Sequence, residues 1–224
     1  MLGLALDGGG RAGGYRVLAL GAHADDIEIG CGGTVLHLVE RGLVAAATWV
    51  VFSGAGERAE EARASGAAFL EGVGERDITV HAFRDGFFPY TGGAVKDTFE
   101  RLKREVDPDL VLTHRRDDAH QDHRLMSELT WNTFRNHLIL EYEIPKYDGD
   151  MGRPNLFVPL AEPTYRRKVE LLRKMFPSQQ RKPWYTEDTF LALMRLRGME
   201  SNAPSRHAEG FHCRKLVLAA GGAT

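Results

Sequence analysis

Two stretches of this sequence gather residue types that ligate metal ions and move protons. The first is Gly21-Ala-His-Ala-Asp-Asp26, directly after an apolar run and directly before a glycine-rich segment. The second is Thr113-His-Arg-Arg-Asp-Asp-Ala-His-Gln-Asp-His123. Histidine and the acidic residues are ligands a zinc-type ion prefers, and a catalytic zinc takes three protein ligands while keeping a further position for water. A lone His-x-Asp-Asp is weak, because an aspartate after a strand is usually a helix cap or a turn residue. Two such stretches together say more, since gathering so many charges and imidazoles is costly unless a metal or a hydrogen-bond network compensates.

The elements around them explain how they meet. Arg16 to Leu20 is nearly all apolar and reads as a strand buried on both faces of a parallel sheet. Gly30-Cys-Gly-Gly-Thr34 is read as opening a helix that runs to about Arg41. Strands are predicted at Val44 to Phe52, Ile78 to Phe83, Leu110 to Thr113 and Leu138 to Ile144. Helices are predicted at Glu57 to Leu70, Val95 to Glu105 and His123 to Phe134. This alternation predicts an α/β fold with a Rossmann-like, doubly wound, mostly parallel sheet of order near 3-2-1-4-5. Ligands of such sheets sit beyond the carboxyl ends of the strands, where the order reverses. Strands one and four are neighbours there, and the two stretches follow those strands. Beyond Ile144 the pattern turns irregular: a short strand at Phe157 to Leu160, helices at Thr164 to Phe176 and Trp184 to Arg197, and a closing strand at Phe211 to Leu218.

Residues 1–14 are glycine-rich and precede the first strand rather than following one, so they read as a flexible leader and not a phosphate loop. Residues 15–224 are expected to form one domain. A formal net charge of -2 gives no case for nucleic acid or an anionic membrane. No apolar run approaches the roughly 20 residues of a membrane span. With only Cys31 and Cys213 and no signal-peptide pattern, the sequence predicts a cytoplasmic protein. A homo-oligomer is compatible with it.

His23-Ala-Asp-Asp26 with the following Gly-x-Gly-Gly-Thr34, and Thr113-His…Asp118-Ala-His-Gln-Asp-His123, resemble the LmbE-like (PIG-L) family of zinc-dependent N-deacetylases. The similarity extends through Arg58-Ala-Glu-Glu61, Asp85-Gly86, Phe157-x-Pro-Leu160, Ser178-Gln179, Arg197-Gly198 and Ala208-Glu-x-Phe211. Ala24 stands where the family usually has proline, and His207 where it commonly has tyrosine at the pocket rim. The resemblance implies that His23, Asp26 and His123 hold Zn2+, with another divalent transition metal as the alternative. It implies that Asp25 is the general base toward the metal's water. His120 would stabilise the tetrahedral anion or protonate the leaving amine, and Asp122 would orient an imidazole, a plain helix N-cap being its other reading. Arg58 and Asp85 match positions that contact sugar hydroxyls, while His114 and Asp118 are structural members of the second stretch.

The implied activity is removal of an acetyl or other acyl group from the amide nitrogen of an amino sugar or an amino-sugar conjugate, with that small molecule as partner. An amidase acting on a thiol conjugate or other non-sugar amide is the alternative within the family. A nucleotide-binding or glycosyl-transfer domain is the alternative from another class. It fits less well, because His-x-Asp-Asp occupies the turn where a dinucleotide site needs Gly-x-Gly-x-x-Gly.

Overall fold

The computed structural model describes residues 3, 6 and 13–217. Most of the leader assigned to residues 1–14, and the last residue of the predicted closing strand, lie outside the described residues. Strands β1 (Tyr15–His23), β2 (Val44–Ser53), β3 (Glu75–Val80), β4 (Leu110–His114) and β5 (Leu138–Tyr142) alternate with helices α1 (Asp26–Glu40), α2 (Glu57–Phe69), α3 (Gly92–Glu105) and α4 (Gln121–Phe134). Then come β6 (Leu156–Pro159), α5 (Glu162–Met175), α6 (Glu187–Glu200) and β7 (Ala208–His212). The sheet order is β3-β2-β1-β4-β5-β7-β6. The first five strands are parallel, and β7 runs antiparallel between β5 and β6. The expected order 3-2-1-4-5 is therefore present, with a two-strand antiparallel addition at one edge.

The all-apolar strands still alternate, because successive side chains face opposite sides of the sheet. Val17 and Ala19 of β1, Trp49 and Val51 of β2 and Leu112 of β4 enter one core, with α1, α2, α5 and α6 residues. Leu18 and Leu20, Val50 and Phe52, and Val111 enter the other, with α3 and α4 residues. Two faces covered by helices explain why these strands carry almost no polar residue.

Several boundaries differ from the sequence-based expectation, α6 among them at Glu187–Glu200 instead of Trp184 to Arg197, and three of the differences have a clear cause. Helix α1 begins at Asp26, not Gly30, so the glycines lie inside it. They are there for close approach: a Cβ at Gly30 would enter the Tyr142 ring, and one at Gly33 would meet Leu160 and Glu209. Strand β3 sits three residues earlier than expected, because it is an edge strand whose Glu75, Arg76 and Asp77 are exposed and polar. The closing strand is Ala208–His212 rather than Phe211 to Leu218. No helix among the described residues is long and apolar enough to cross a membrane.

Candidate metal centre

His23 is the last residue of β1 and Asp26 the first of α1, so the strand-to-helix turn itself carries the first stretch. β4 lies beside β1 in parallel register and leads into the second stretch, which brings His123 of α4 over the same turn. His23 Nδ1 lies 3.2 Å from Asp26 Oδ2 and 3.2 Å from His123 Nε2. Asp26 Oδ2 lies 3.4 Å from His123 Nε2. A tetrahedral ion with ligands at 2.0–2.1 Å spans edges of about 3.3–3.4 Å. The three donor atoms therefore already form one face of such a polyhedron.

The electrostatics of this group call for positive charge. Burial alone would raise the Asp26 carboxyl, yet His123, His114 and His23 hold it well below the ordinary carboxylate range. Burial would lower the His23 and His123 imidazoles, but the carboxylates around them push both above the ordinary value. Imidazoles whose proton affinity is raised by the acids around them mark a place where positive charge is favoured, so the donor set fits a divalent ion.

Asp25 is set apart from its neighbour by backbone geometry. It occupies the N-cap position of α1 without a side-chain capping bond, at φ 118°, and is one of three non-glycine residues with positive φ among the described residues. Such a conformation is tolerated best by Asp and Asn and persists where the surroundings enforce it. Arg58 does the enforcing: its Nη2 lies 3.1 Å from Asp25 Oδ1 and also donates to the Ala24 carbonyl. Arg58 is held in turn by Glu61 at 2.9 Å and by Ser178. Burial pushes the Asp25 carboxyl up to about 7, against the pull of Arg58.

The remaining residues form a shell around the imidazoles. Asp122 is fully buried, with Oδ2 3.3 Å from His23 Nε2, and it accepts the Gly86 and Phe88 amides. It does not cap α4; His120 does, its Nδ1 accepting the Asp122 N–H at 3.2 Å. That leaves Nε2 as the protonated nitrogen of neutral His120, whose titration is lowered by burial and by His123 and His23. Asp85 reaches the other side of His23 Nε2 at 3.0 Å. Asp118 lies 3.1 Å from His123 Nδ1, an ion-pair contact, and accepts the His120 amide. His114 is buried among them, its Nε2 2.9 Å from the Ala22 amide and 3.2 Å from Asp26; burial and then His123 push it down to about 4.

A model of the family described as PIG-L, GlcNAc-PI de-N-acetylase, matches residues 18–134, more than half of the chain. The chain belongs to the PIG-L family. It is thus an enzyme of a zinc-dependent deacetylase family. The matched segment runs from β1 to the end of α4 and contains both stretches described above. A curated relative, the uncharacterized deacetylase YaiS of Escherichia coli K12, is 27% identical over 168 residues, covering 70% of this chain and 89% of YaiS. N,N'-diacetylchitobiose deacetylase from Pyrococcus horikoshii shares the fold at a TM-score of 0.67 and 21% identity, over 88% of this chain and 83% of that one. So does GalB, the 4-carboxy-2-hydroxymuconate hydratase of Pseudomonas putida KT2440, at 0.72 and 17%, over 93% and 99%. A deacetylase and a hydratase on one fold show that the fold alone does not choose the reaction.

All eight residues singled out in the sequence come together: His23, Asp25, Asp26, Arg58, Asp85, His120, Asp122 and His123 are linked by the contacts above. His207 does not join them. Its ring stacks on Tyr165 of α5 at 4.0 Å, a packing role. Sequence reasoning missed Lys146, whose Nζ lies 3.0 Å from Asp118 and also pairs with Asp150 at 2.7 Å. Its one available signal was a position just beyond the carboxyl end of β5.

Proposed function

We propose that this PIG-L protein is a metal-dependent hydrolase that removes an acetyl or related acyl group from the nitrogen of an amino sugar or an amino-sugar conjugate. The observation that carries this reading is the donor triangle of His23, Asp26 and His123 beside a buried, upward-shifted Asp25 carboxyl. His23, Asp26 and His123 would hold the ion, zinc in the first instance. Bound there, a divalent ion acidifies a water and polarises an acyl carbonyl.

The protein's own groups then divide the proton work. Asp25 receives a proton at its carboxylate, and Arg58 keeps that carboxylate turned to the site. His120, with Nδ1 occupied by the Asp122 amide, directs its Nε2–H at the carbonyl oxygen as negative charge develops there, and Asp25 passes the proton it received to the departing amine. Asp122 and Asp118 fix the rings of His23 and His123, the usual work of a carboxylate behind a ligating imidazole. The Asp85 side chain is 73% exposed and that of Arg58 25%; both stand at the mouth, where sugar hydroxyls are bound. The overall change adds water across one C–N bond and releases a carboxylic acid and a free amine.

The test combines metal analysis with amine release from a panel of N-acetylated sugars, sugar conjugates and thiol conjugates. Stoichiometric metal, removable by chelator with loss of turnover on a sugar, is expected. A metal-loaded protein that frees amine from none of the sugars overturns the reading, and turnover confined to thiol conjugates replaces it with the amidase alternative.

A further inference from the structure

Glu61 and Ser178 take no part in the proton transfers, yet they stand directly behind the group that does. Glu61 lies on α2 one turn beyond Arg58, and its carboxylate is buried. Ser178 lies 117 residues further on, in the segment that joins α5 to α6. Glu61 Oε1 accepts the Ser178 amide at 2.8 Å. Its Oε2 accepts the Ser178 hydroxyl at 2.7 Å and Arg58 Nη1 at 2.9 Å. The Ser178 hydroxyl accepts in turn the Gln179 side-chain amide at 2.9 Å and Arg58 Nη1 at 3.4 Å. The one proton and both lone pairs of that hydroxyl are therefore in use.

The Arg58 guanidinium is held on three sides. Nη1 points back at Glu61 and Ser178, while Nη2 points forward at Asp25 and the Ala24 carbonyl. The fully buried Phe176 ring lies 5.4 Å from its central carbon. A long arginine side chain has much rotamer entropy to lose before its fork points one way. Bonds to an ionised partner are the strong ones, and a buried carboxylate fixed by a backbone amide is a rigid anchor for them. If Glu61 served only to fasten the α5–α6 segment to α2, its two bonds to Ser178 would suffice. The fork of Arg58 instead runs from that pair to the turn that carries Asp25. That turn, at φ 118° and without a side-chain capping bond, needs an external hold.

We propose that Glu61, braced by Ser178, is a positioning residue that sets the Arg58 guanidinium and, through it, the direction in which the Asp25 carboxylate faces. Its effect on turnover rests on the deacetylase reading. Glu61 receives no proton and holds no ion; it acts at one remove, through the geometry of the base. A reacting group misplaced by about 1 Å loses on the order of 10²-fold in rate, so a remote anchor of this kind has a measurable kinetic weight. The α5–α6 segment thereby reaches the proton acceptor across α2, without lying in its turn.

The experiment is a double-mutant cycle on the metal-loaded full chain: Glu61→Ala, Arg58→Ala and the two together. kcat and KM for an N-acetylated sugar, metal content and Tm are read for each. Glu61→Ala alone is expected to keep its metal and to lose about 10–100-fold in kcat, with KM moved by less than about threefold. In the Arg58→Ala background the same change is expected to cost less than about twofold, because the side chain it acts through is gone. An equal loss in both backgrounds makes Glu61 a structural residue, and no loss in either shows that Arg58 is held without it. Either result, or a loss confined to KM, overturns the proposal. Where Glu61→Ala does not fold, Glu61→Gln takes its place in the cycle, keeping an acceptor for the Ser178 amide but not the charge. The same outcomes then decide. Turnover by wild type upholds the deacetylase reading whichever way the cycle falls. If wild type turns over no sugar, that reading fails, and crystal structures of wild type and the Glu61 variant decide instead. A guanidinium that has left Asp25 in the variant supports the positioning role; one still paired with Asp25 sinks it.

Discussion

The parallel half of the molecule, β1 to β5, and the part that follows it are built on different principles. In the first half the strands inside the edge strand β3 are buried on both faces mainly by apolar side chains, and a cluster of buried polar residues lies at the carboxyl ends of β1 and β4. The second half is attached largely through buried charge. Lys168 of α5 donates to Glu209 of β7 at 2.6 Å and to the Ile29 carbonyl at 2.7 Å. Glu209 also accepts the amides of Gly33 and Thr34 and the Thr34 hydroxyl. Arg197 of α6 makes a two-pronged pair with Glu143, both bonds 2.9 Å. Lys168 and Glu209 reach into α1, the helix that begins with Asp26, while the Arg197–Glu143 pair holds Gly152 of the segment after β5. One half supplies the chemistry, and the other fixes the helix and loops on which the chemistry stands.

The strongest way to break this division is inside the first half, between two adjacent carboxylates. Asp25→Asn is expected to keep metal and fold while kcat falls by about 10²–10⁴, the scale of a lost general base. Asparagine tolerates the positive φ at this position, so the change isolates the proton rather than the turn. Asp26→Ala is expected to lose metal and activity together. Metal analysis alongside single-substrate kinetics separates the two, and an Asp25→Asn enzyme at wild-type rate would move the base elsewhere.

In the second half the largest expected effect is on stability. Glu209→Ala leaves the Lys168 ammonium buried and three donors of α1 without their acceptor. Removing one partner of a buried pair costs about 3–5 kcal/mol. For a chain of this size that is roughly a 6–20 °C drop in Tm, read by calorimetry. A Glu209→Ala protein that melts with wild type would show that the clamp on α1 is dispensable.

Lys146 tests whether the loop after β5 acts on the metal centre through Asp118. Lys146→Ala is expected to weaken metal binding about tenfold, at the low end of what residues behind a ligand contribute. Competition with a chromophoric chelator gives the affinity. Unchanged affinity would reduce Lys146 to a loop fastener.

The two halves also differ in how legible they were. Apolar runs such as Val17 to Leu20 and Val44 to Phe52 announce buried parallel strands, and from them the order 3-2-1-4-5 and the meeting of the two stretches follow. The α1 start was misread because its glycines look like a helix opening; their purpose is set by Tyr142, Leu160 and Glu209, residues far away in the chain. The cap of α4 was likewise hidden: Asp122 reads as a candidate cap, and only the Gly86 and Phe88 amides show that it is occupied elsewhere while His120 takes that place. Buried pairs such as Lys168 with Glu209 have no local signature, because each member looks like an ordinary surface charge until its partner is brought in.

The smallest expected effect concerns pH and the Glu143–Arg197 pair, which holds the far end of the β5 loop through Gly152. Burial pushes the Glu143 carboxyl up, but His212, 3.8 Å away, and the two Arg197 bonds outweigh it and hold the carboxyl below its ordinary value. A carboxyl depressed in the folded state contributes stability that is fully present above its unfolded value, about 4.3, and is lost as pH falls through the folded one. Glu143→Gln keeps the shape and one acceptor but removes the charge, for an expected cost of about 1–3 kcal/mol near neutrality. The difference in Tm between wild type and Glu143→Gln should therefore be largest between about pH 6 and 8 and shrink steadily below about pH 4.3. A difference independent of pH would mean that Glu143 acts through its hydrogen bonds alone, and the second half would owe less to charge than its contacts indicate.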